Sequence, residues 1–243
     1  MSINKFSIVI PVKNETENVE HLTNEIIKNC KKMFYEIIFV NDGSEDSTLS
    51  ELKKLKKKNK NFRILNHNTS AGQSAALRTG ILNSIYDVIV TLDGDCQNDP
   101  KDIVGMHDSF VKNANENLLL VGGVRSNRQD PMSKKIASKF GKLSRKIILN
   151  DDHPDTGCGI KIFHKELFLK MPYFNHMHRF LPALARREGA KVLRFNVRHR
   201  PRSRGISNYT NFGRLLVSIF DIFGMVWLLK RYPKNLKINE IIK

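Results

Sequence analysis

Short apolar segments alternate with segments of helical periodicity through the first half of this 243-residue chain. The apolar segments lack the apolar–polar alternation of a half-exposed strand, and each has the length of a buried one. They lie at residues 6–12, 36–40, 62–65, 87–92 and 118–124. This pattern predicts a Rossmann-like α/β fold, in which helices flank a mostly parallel sheet on both faces.

Helical periodicity is found between these strands, at residues 19–30, 49–55, 71–84 and 101–113. Farther along, residues 179–188 predict a short helix and residues 191–199 predict an edge strand. Ligands of such folds bind beyond the carboxyl ends of the strands. Polar residues that directly follow a strand are therefore the candidates for function, and they lie at 13–15, 41–44 and 93–95.

Composition limits the partners that this chain can have. Its 41 basic and 24 acidic residues give a net charge of +17, which favours anionic lipids or phosphorylated substrates as neighbours. Nucleic-acid-binding signatures are absent, so nucleic acid is not an expected partner. The three cysteines are widely spaced, which favours a reducing, cytoplasmic compartment. Neither a dinucleotide fingerprint nor a phosphate-binding loop follows any strand, so phosphates would have to meet a metal and basic side chains.

Asp93 and Asp95 follow the fourth predicted strand. Two carboxylates one residue apart can both reach a hard divalent cation, and Gly94 between them lets the backbone approach closely. Gln97 could add a carbonyl oxygen to the same ion. Because Asp-Gly is also common in simple turns, a capped turn is the competing interpretation.

Asp42 ends the second predicted strand in the sequence Asn-Asp-Gly-Ser. A carboxylate at this position can accept hydrogen bonds from a nucleobase or a ribose. Helix capping by Ser44, Asp46 or Ser47 is an equally good explanation of the same polar segment. The residues alone leave both interpretations open.

Four segments occur in order along the chain, at residues 8–15 (IVIPVKNE), 38–44 (IFVNDGS), 72–77 (GQSAAL) and 90–95 (VTLDGD). Together they resemble the family 2 inverting glycosyltransferases of GT-A fold. More narrowly, they are similar to the branch of dolichol-phosphate mannose synthases and polyprenyl-phosphate sugar synthases. Each motif is loose by itself, whereas four in register are specific, and the resemblance extends over roughly residues 5 to 210.

The resemblance implies a role for several groups of residues. Those expected to line the nucleoside pocket are Pro11, Lys13, Glu15, Val40 and Asp42. Those expected to hold the metal and the diphosphate are Asp93, Gly94, Asp95 and Gln97. Arg125 matches a basic residue that meets the donor or acceptor phosphate, and residues 155–159 resemble an acceptor-side loop.

Residues 200–207 resemble a segment that closes over the diphosphate, with Arg200, Arg202 and Ser207 as its candidate ligands. We expect Arg125 and Arg202 to act in catalysis together with Asp93 and Asp95. Two positions depart from the pattern of the branch, because Asn208 replaces a usual Lys and Lys161 replaces a common Arg.

The activity implied by the resemblance is inverting transfer of a sugar from a UDP- or GDP-linked donor to a polyprenyl phosphate, such as undecaprenyl or dolichyl phosphate. Mg²⁺ or Mn²⁺ would be the cofactor. Two alternatives remain: a family 2 enzyme with a saccharide acceptor in cell-envelope polysaccharide synthesis, and a non-catalytic basic protein that binds polyanions. The identity of the sugar and of the nucleobase does not follow from the sequence.

The second half of the chain carries two membrane-related signals. Residues 212–229 are strongly apolar, but Arg214 and Asp221 interrupt them, which argues against a membrane span. Residues 133–150 predict a helix with one cationic and one apolar face, as in an interfacial helix, although packing on a core would explain it too. We therefore expect a catalytic domain at 1–210 and a membrane-facing helical tail at 211–243. The protein would be peripheral on the cytoplasmic face of an anionic membrane, with a membrane protein as a further possible partner.

Overall fold

The computed structural model describes residues 4–114, 118–126, 153–201 and 211–231, with side chains from residue 220 onward in the last segment. The strands are β1 Lys5–Val12, β2 Phe34–Asp42, β3 Phe62–His67, β4 Val88–Thr91, β5 Leu119–Arg125, β6 Lys161–His164 and β7 Lys191–Val197. The helices are α1 Thr16–Cys30, α2 Thr48–Lys58, α3 Gln73–Leu82, α4 Asp102–Asn113, α5 Lys165–Lys170, α6 Leu181–Arg187 and α7 Asn211–Lys230. A single turn of 3-10 helix, Met177–Arg179, precedes α6.

These strands form one sheet in the order β3-β2-β1-β4-β6-β5-β7. The pairs β1–β2, β1–β4, β2–β3 and β5–β7 are parallel. Among the described strands, β6 alone is antiparallel to its neighbours, β4 and β5. The predicted mostly parallel α/β class is thereby confirmed, and the predicted edge strand is β7.

Strand β6 was missing from the sequence-based prediction. Its four residues, Lys161–His164, include a lysine and a histidine, so they do not read as an apolar strand. All four are nevertheless buried, because β6 lies between β4 and β5. Its position in the centre of the sheet, rather than its own propensity, fixes its conformation.

Both faces of the sheet are covered, as the continuous apolar strands predict. In β1, Ile8 and Ile10 belong to a core cluster that includes Leu22 of α1. Val9, between them, points to the opposite face and belongs to a second cluster. That second cluster also contains Met225 of α7, so the helix at the end of the described chain packs on the sheet domain.

Helix α3 approaches the sheet most closely at Gly80. A Cβ atom added there would lie 2.4 Å from Cγ1 of Val9 and 3.0 Å from Cγ2 of Val40. Because both valines are fully buried, neither side chain has room to give way.

We expect Gly80→Ala to destabilise the protein by about 1–3 kcal/mol, since overpacking outweighs the gain in helix propensity. Gly224→Ala, also within a helix, is the matched control, because a Cβ there meets nothing within 4 Å. The control should be neutral or up to about 1 kcal/mol more stable. Urea denaturation of both variants measures the difference, and equal effects would contradict the close packing of α3.

Candidate active site

A cleft of about 830 Å³ opens at the carboxyl ends of β1, β2 and β4. Its floor is formed by the segments that follow these strands, and the first turn of α3 forms one wall. Residues 156–159 and 175–181 contribute to the rest of its lining. Of the residues predicted for function, those that line it are Pro11, Lys13, Glu15, Asp42, Asp93, Gly94 and Asp95. The sheet edge at which parallel strands end therefore brings together segments from three separate parts of the chain.

The turn that carries Asp93 and Asp95 is pressed onto β1 at Gly94. A Cβ at Gly94 would lie 2.5 Å from Cγ1 of Val12 and 3.2 Å from the carbonyl oxygen of Pro11. Only a glycine allows this contact without displacing β1, so the backbone approach predicted for Gly94 is made to a strand. Both flanking carboxylates line the cleft as a result.

Asp93 is crowded by two other loops. The amide of Gln73 donates a hydrogen bond of 2.9 Å to its Oδ1, and a Cβ at Gly159 would lie 2.1 Å from its Oδ2. Burial and the neighbouring charge of Asp95 raise the pKa of Asp93 to about 6, although the positive charges of Lys161 and Arg125 oppose that shift. The ionised pair is therefore held at an electrostatic disadvantage, which a cation would relieve.

This geometry fits a magnesium or manganese ion. Within the described ranges, no three His, Cys, Asp or Glu residues cluster closely enough to hold a metal by themselves. Such ions are commonly bound by one or two carboxylates and complete their shell with water and substrate phosphates. Asp93 and Asp95 provide that minimal set of oxygen ligands.

Gln97, the third predicted metal ligand, does not line the cleft. The chain turns at Cys96, whose φ of 60° is in the left-handed region. The side-chain amide of Gln97 then donates a 3.4 Å hydrogen bond to the backbone carbonyl oxygen of Arg200. The backbone carbonyl of Gln97 accepts a 3.0 Å hydrogen bond from the backbone N–H of Arg200. The backbone N–H of Gln97 donates to Oδ1 of Asp95 at 3.2 Å, whereas its side chain joins the turn to the Arg200 segment.

Asp42 is fully engaged by protein groups. Its two oxygens accept hydrogen bonds from His67 Nδ1 at 2.7 Å, from Ser70 Oγ at 2.8 Å, and from the backbone N–H groups of Ala71 and Gly72 at 2.8 Å each. Burial alone would raise its pKa, but these four hydrogen bonds together hold the pKa below its ordinary value. Since a carboxylate offers about four acceptor positions, Asp42 shapes the loop before α3. Its neighbour Asp46 precedes Ser47, the N-cap of α2, and accepts from the N–H of Thr48 at 2.9 Å, whereas Ser47 forms no side-chain capping hydrogen bond.

Arg125 lies behind the cleft wall. Its Nε and Nη2 each donate a 2.7 Å hydrogen bond to a different oxygen of Asp155. The hydrogen bonds and the negative charge of Asp155 raise the pKa of Arg125. This bidentate pair also holds residues 155–159 at the end of β5. Arg125 therefore acts on the cleft through its long-range charge and through the position of this loop.

Two other predicted ligands lie away from the cleft. Val40 is fully buried in the core, because it precedes the end of β2 by two residues and is covered by α3 at Gly80. Arg200 forms a bidentate pair with Glu25 of α1, at 2.8 Å for each hydrogen bond. Arg202, Ser207 and Asn208 fall outside the described residues, as does the helix predicted at 133–150.

The structure adds cleft residues that the sequence analysis did not assign. They are Ser70, Gln73, Lys161, His176, His178 and Arg179. Lys161 is almost completely buried and its ammonium donates to the carbonyl oxygen of Cys158. The available signal for Gln73 was its position inside the motif at residues 72–77, which carries the family resemblance.

Sequence comparisons with a family model and with individual proteins agree on one family. The model of the family described as "Glycosyl transferase family 2" matches residues 7–171. The undecaprenyl-phosphate 4-deoxy-4-formamido-L-arabinose transferase of Proteus mirabilis is 33% identical over 225 residues, which span 90% of this chain and 67% of the relative. The transferase of the same name from Pectobacterium atrosepticum is 32% identical over the same shares of both chains.

Two solved structures share the fold. Glucosyl-3-phosphoglycerate synthase from Mycobacterium tuberculosis, crystallised with Mn²⁺, UDP and glucosyl-3-phosphoglycerate, superposes with a TM-score of 0.68 at 16% identity. The alignment covers 95% of this chain and 81% of that one. Mannosyl-3-phosphoglycerate synthase from Rubrobacter xylanophilus gives 0.67 at 12% identity, over 98% of this chain and 78% of that one. The predicted GT-A architecture is confirmed by these superpositions.

The charge balance at Asp93 predicts a trade-off between stability and cation binding. In metal-free protein at pH 8, Asp93→Asn should raise the free energy of unfolding by about 1–3 kcal/mol, because the folded state no longer holds a disfavoured charge. The folded pKa is raised from 3.8 to about 6. The wild-type protein therefore loses stability relative to the variant as pH rises between these values, and the two converge below them.

Thermal denaturation with EDTA or Mn²⁺, at pH 5 and pH 8, measures both effects. Mn²⁺ should raise the Tm of the wild-type protein and leave that of Asp93→Asn nearly unchanged. An equal rise in both proteins would show that the cation binds elsewhere.

Proposed function

Because this chain belongs to glycosyl transferase family 2, we propose that it transfers a sugar from a nucleoside-diphosphate sugar to undecaprenyl phosphate at a membrane surface. The observation that carries the proposal is the pair of carboxylates, Asp93 and Asp95, at the end of β4 in the cleft. The relatives at 32–33% identity, whose names specify undecaprenyl phosphate, support this acceptor. A UDP- or GDP-linked sugar is the donor class that fits a diphosphate site.

The cleft supplies the charges that this reaction needs. Asp93 and Asp95 would hold Mg²⁺ or Mn²⁺, and the bound cation would supply positive charge beside the departing diphosphate. Lys13, Lys161 and Arg179 line the same cleft and add further positive charge. We propose that Arg125 and Arg202 add positive charge that favours the leaving diphosphate and the acceptor phosphate.

The acceptor phosphate provides its own nucleophile. With a second pKa near ~6, a phosphate monoester is largely dianionic at neutral pH, so its oxygen attacks the anomeric carbon without a strong general base. One carbon–oxygen bond forms as the bond to the diphosphate breaks, and the electron pair of that bond leaves on the nucleoside diphosphate. A single displacement of this kind inverts the anomeric centre.

Helix α7 provides a surface for docking on the membrane. Phe220, Phe223 and Trp227 lie on one helical face and are 75%, 70% and 61% exposed. Lys230 and Arg231 continue that face, as cations do where an interfacial helix meets anionic head groups. The helix is tied to the cleft region by Asp221, whose Oδ2 lies 3.1 Å from Nδ1 of His176, a cleft residue.

We assign this aromatic face to peripheral docking on the cytoplasmic surface. In the part of the chain that the structure describes, no helix is both long and apolar enough to cross a bilayer. All three cysteines are unpaired and buried, which agrees with a reducing compartment. The division into a catalytic domain at 1–210 and a membrane-facing tail at 211–243 belongs to the same proposal.

The carboxylate pair is tested by Asp95→Ala. We expect it to lower transfer by roughly 100-fold or more, because the cation and the leaving diphosphate both lose a stabilising charge. Asp108→Ala, which removes an exposed carboxylate on α4, is the matched control and should leave transfer unchanged.

The assay combines purified protein, Mn²⁺ or Mg²⁺, undecaprenyl phosphate and a panel of UDP- and GDP-linked sugars, and it measures formation of a new glycolipid. Saccharide acceptors are assayed in parallel. Transfer to a saccharide but not to the lipid phosphate would overturn the proposed acceptor, and full activity of Asp95→Ala would overturn the proposed site.

The docking surface is tested by the triple variant Phe220→Ser, Phe223→Ser and Trp227→Ser. It should lose most of its cosedimentation with vesicles that contain anionic lipid, because interfacial binding is driven by the aromatic area that becomes buried in the membrane. Its Tm and its activity on a short-chain, water-soluble acceptor should stay near the wild-type values.

The control removes exposed apolar side chains from elsewhere, with Phe34→Ser and Ile85→Ser, which are 67% and 65% exposed. These residues lie next to the amino ends of β2 and β4, opposite the cleft. Equal vesicle binding by the triple variant and the control would argue against a membrane and leave a protein partner as the occupant of the α7 face.

A further inference from the structure

His178 is a cleft residue that the proposed chemistry does not use. It lies in the 3-10 turn Met177–Arg179, and its Nδ1 is 2.8 Å from the hydroxyl oxygen of Ser74. Burial, together with the neighbouring charge of Arg179, lowers the pKa of His178 to about 3. The imidazole is therefore neutral at any pH at which the enzyme would work.

The hydrogen bonds around Ser74 fix the tautomer of this ring. The Ser74 hydroxyl oxygen lies 3.4 Å from the backbone N–H of His178 and accepts from it. If it also accepted from the ring, its own proton would have no acceptor among the described residues. The Ser74 hydroxyl thus donates to Nδ1, and the proton of the neutral imidazole resides on Nε2.

The Nε2–H group has no hydrogen-bond partner among the described residues, and His178 lines the cleft. A half-buried donor beside an open cleft is available to a ligand at little conformational cost, because the opposite side of the ring is already fixed. With a proton on Nε2 and a low affinity for a second one, the ring can donate a hydrogen bond but cannot act as a general base.

The first turn of α3 positions this donor relative to the carboxylate pair. Ser74 holds His178, and the adjacent Gln73 holds Oδ1 of Asp93 at 2.9 Å. One residue earlier, the Gly72 N–H donates to Asp42 at 2.8 Å, which anchors the start of the helix. The imidazole and the proposed diphosphate site are therefore aligned by consecutive residues of one rigid element.

The chemistry of the donor identifies its ligand. Phosphate groups in this cleft are better matched by Lys13, Lys161 and Arg179, because these side chains carry a charge. A neutral N–H adds no charge, but its hydrogen bond is directional and can orient an uncharged acceptor oxygen of the ligand.

We propose that His178 is a specificity-determining residue, whose Nε2–H donates a hydrogen bond to an uncharged oxygen of the transferred sugar, either a hydroxyl or an N-acyl carbonyl. This inference rests on the proposed function for the donor class, a nucleoside-diphosphate sugar, and is independent of the acceptor. A sugar that lacks this oxygen leaves the half-buried Nε2–H of His178 without that hydrogen bond, so the site discriminates against it.

Calorimetric binding separates this role from a structural one and from the acceptor chemistry. A panel of UDP- and GDP-linked sugars, each beside its nucleoside diphosphate, is titrated into wild-type protein, His178→Phe and His178→Gln. Phe keeps the planar shape without the donor, and the Gln amide reaches the position of Nε2–H. For the best-bound sugar, His178→Phe should weaken binding roughly 10-fold while leaving the nucleoside diphosphate unaffected, and His178→Gln should restore most of the loss.

A deoxy series of the same nucleotide sugar locates the oxygen. One deoxy analogue should bind wild-type protein about as weakly as the complete sugar binds His178→Phe. His178→Phe should bind that analogue and the complete sugar equally. Ser74→Ala removes the hydrogen bond that fixes the tautomer of His178, so it should weaken binding of the nucleotide sugar to a smaller extent.

Equal weakening of nucleotide sugar and nucleoside diphosphate in His178→Phe, or no weakening of either, would overturn the assignment. Failure of wild-type protein to bind any nucleotide sugar would overturn it together with the proposed function. Binding with the predicted discrimination but without transfer to undecaprenyl phosphate would refute the proposed acceptor and leave the role of His178 intact.

Discussion

The crowding of Asp93 is the constraint on which the whole site depends. Gly94 is pressed onto β1, Gly159 is pressed against the Asp93 carboxylate, and Gln73 donates to it from α3. Its own turn, helix α3 and the loop at Gly159 thus hold one carboxylate beside another, where burial and repulsion both disfavour its charge. Such an arrangement is unfavourable by itself and becomes favourable when positive charge is added, which is the property that a cation and diphosphate site requires.

Helix α3 organises the remainder of the cleft. Asp42 anchors the loop before α3 with three hydrogen bonds, and Gly80 allows the middle of the helix to lie directly on Val9 and Val40. Because its position is fixed at both points, its first turn can align Asp93 and His178 with the accuracy that transfer chemistry needs. Binding of the diphosphate and choice of the sugar would then be coupled through one element.

The two sides of the cleft have different tasks in the proposed reaction. Charged groups at the ends of β1 and β4 and in β6 would surround the leaving diphosphate, whereas the wall from residue 175 onward is joined to α7 through His176 and Asp221. The aromatic face of α7 thereby lies close to the side of the cleft that an acceptor held in a membrane would approach. In the proposed reaction, the soluble donor and the lipid acceptor would therefore occupy separate sides of one site.

The sequence by itself determined the class of the fold, because continuous apolar strands between amphipathic helices have few other ways to bury both faces. It also located the carboxylate pair, since an Asp-Gly-Asp turn after a buried strand is a local pattern.

Tertiary structure alone decided the rest. Strand β6 has too little apolar character to be recognised and is formed by the neighbours that enclose it. Arg125, Arg200 and Asp42 have the residue types of phosphate and nucleoside ligands, yet Asp155, Glu25 and the loop before α3 engage them. The proposed role of His178 could not be derived from the sequence, because it depends on Ser74, a residue more than one hundred positions away. The sequence shows which residue types are present, whereas long-range contacts decide where each side chain lies and which groups it is bonded to.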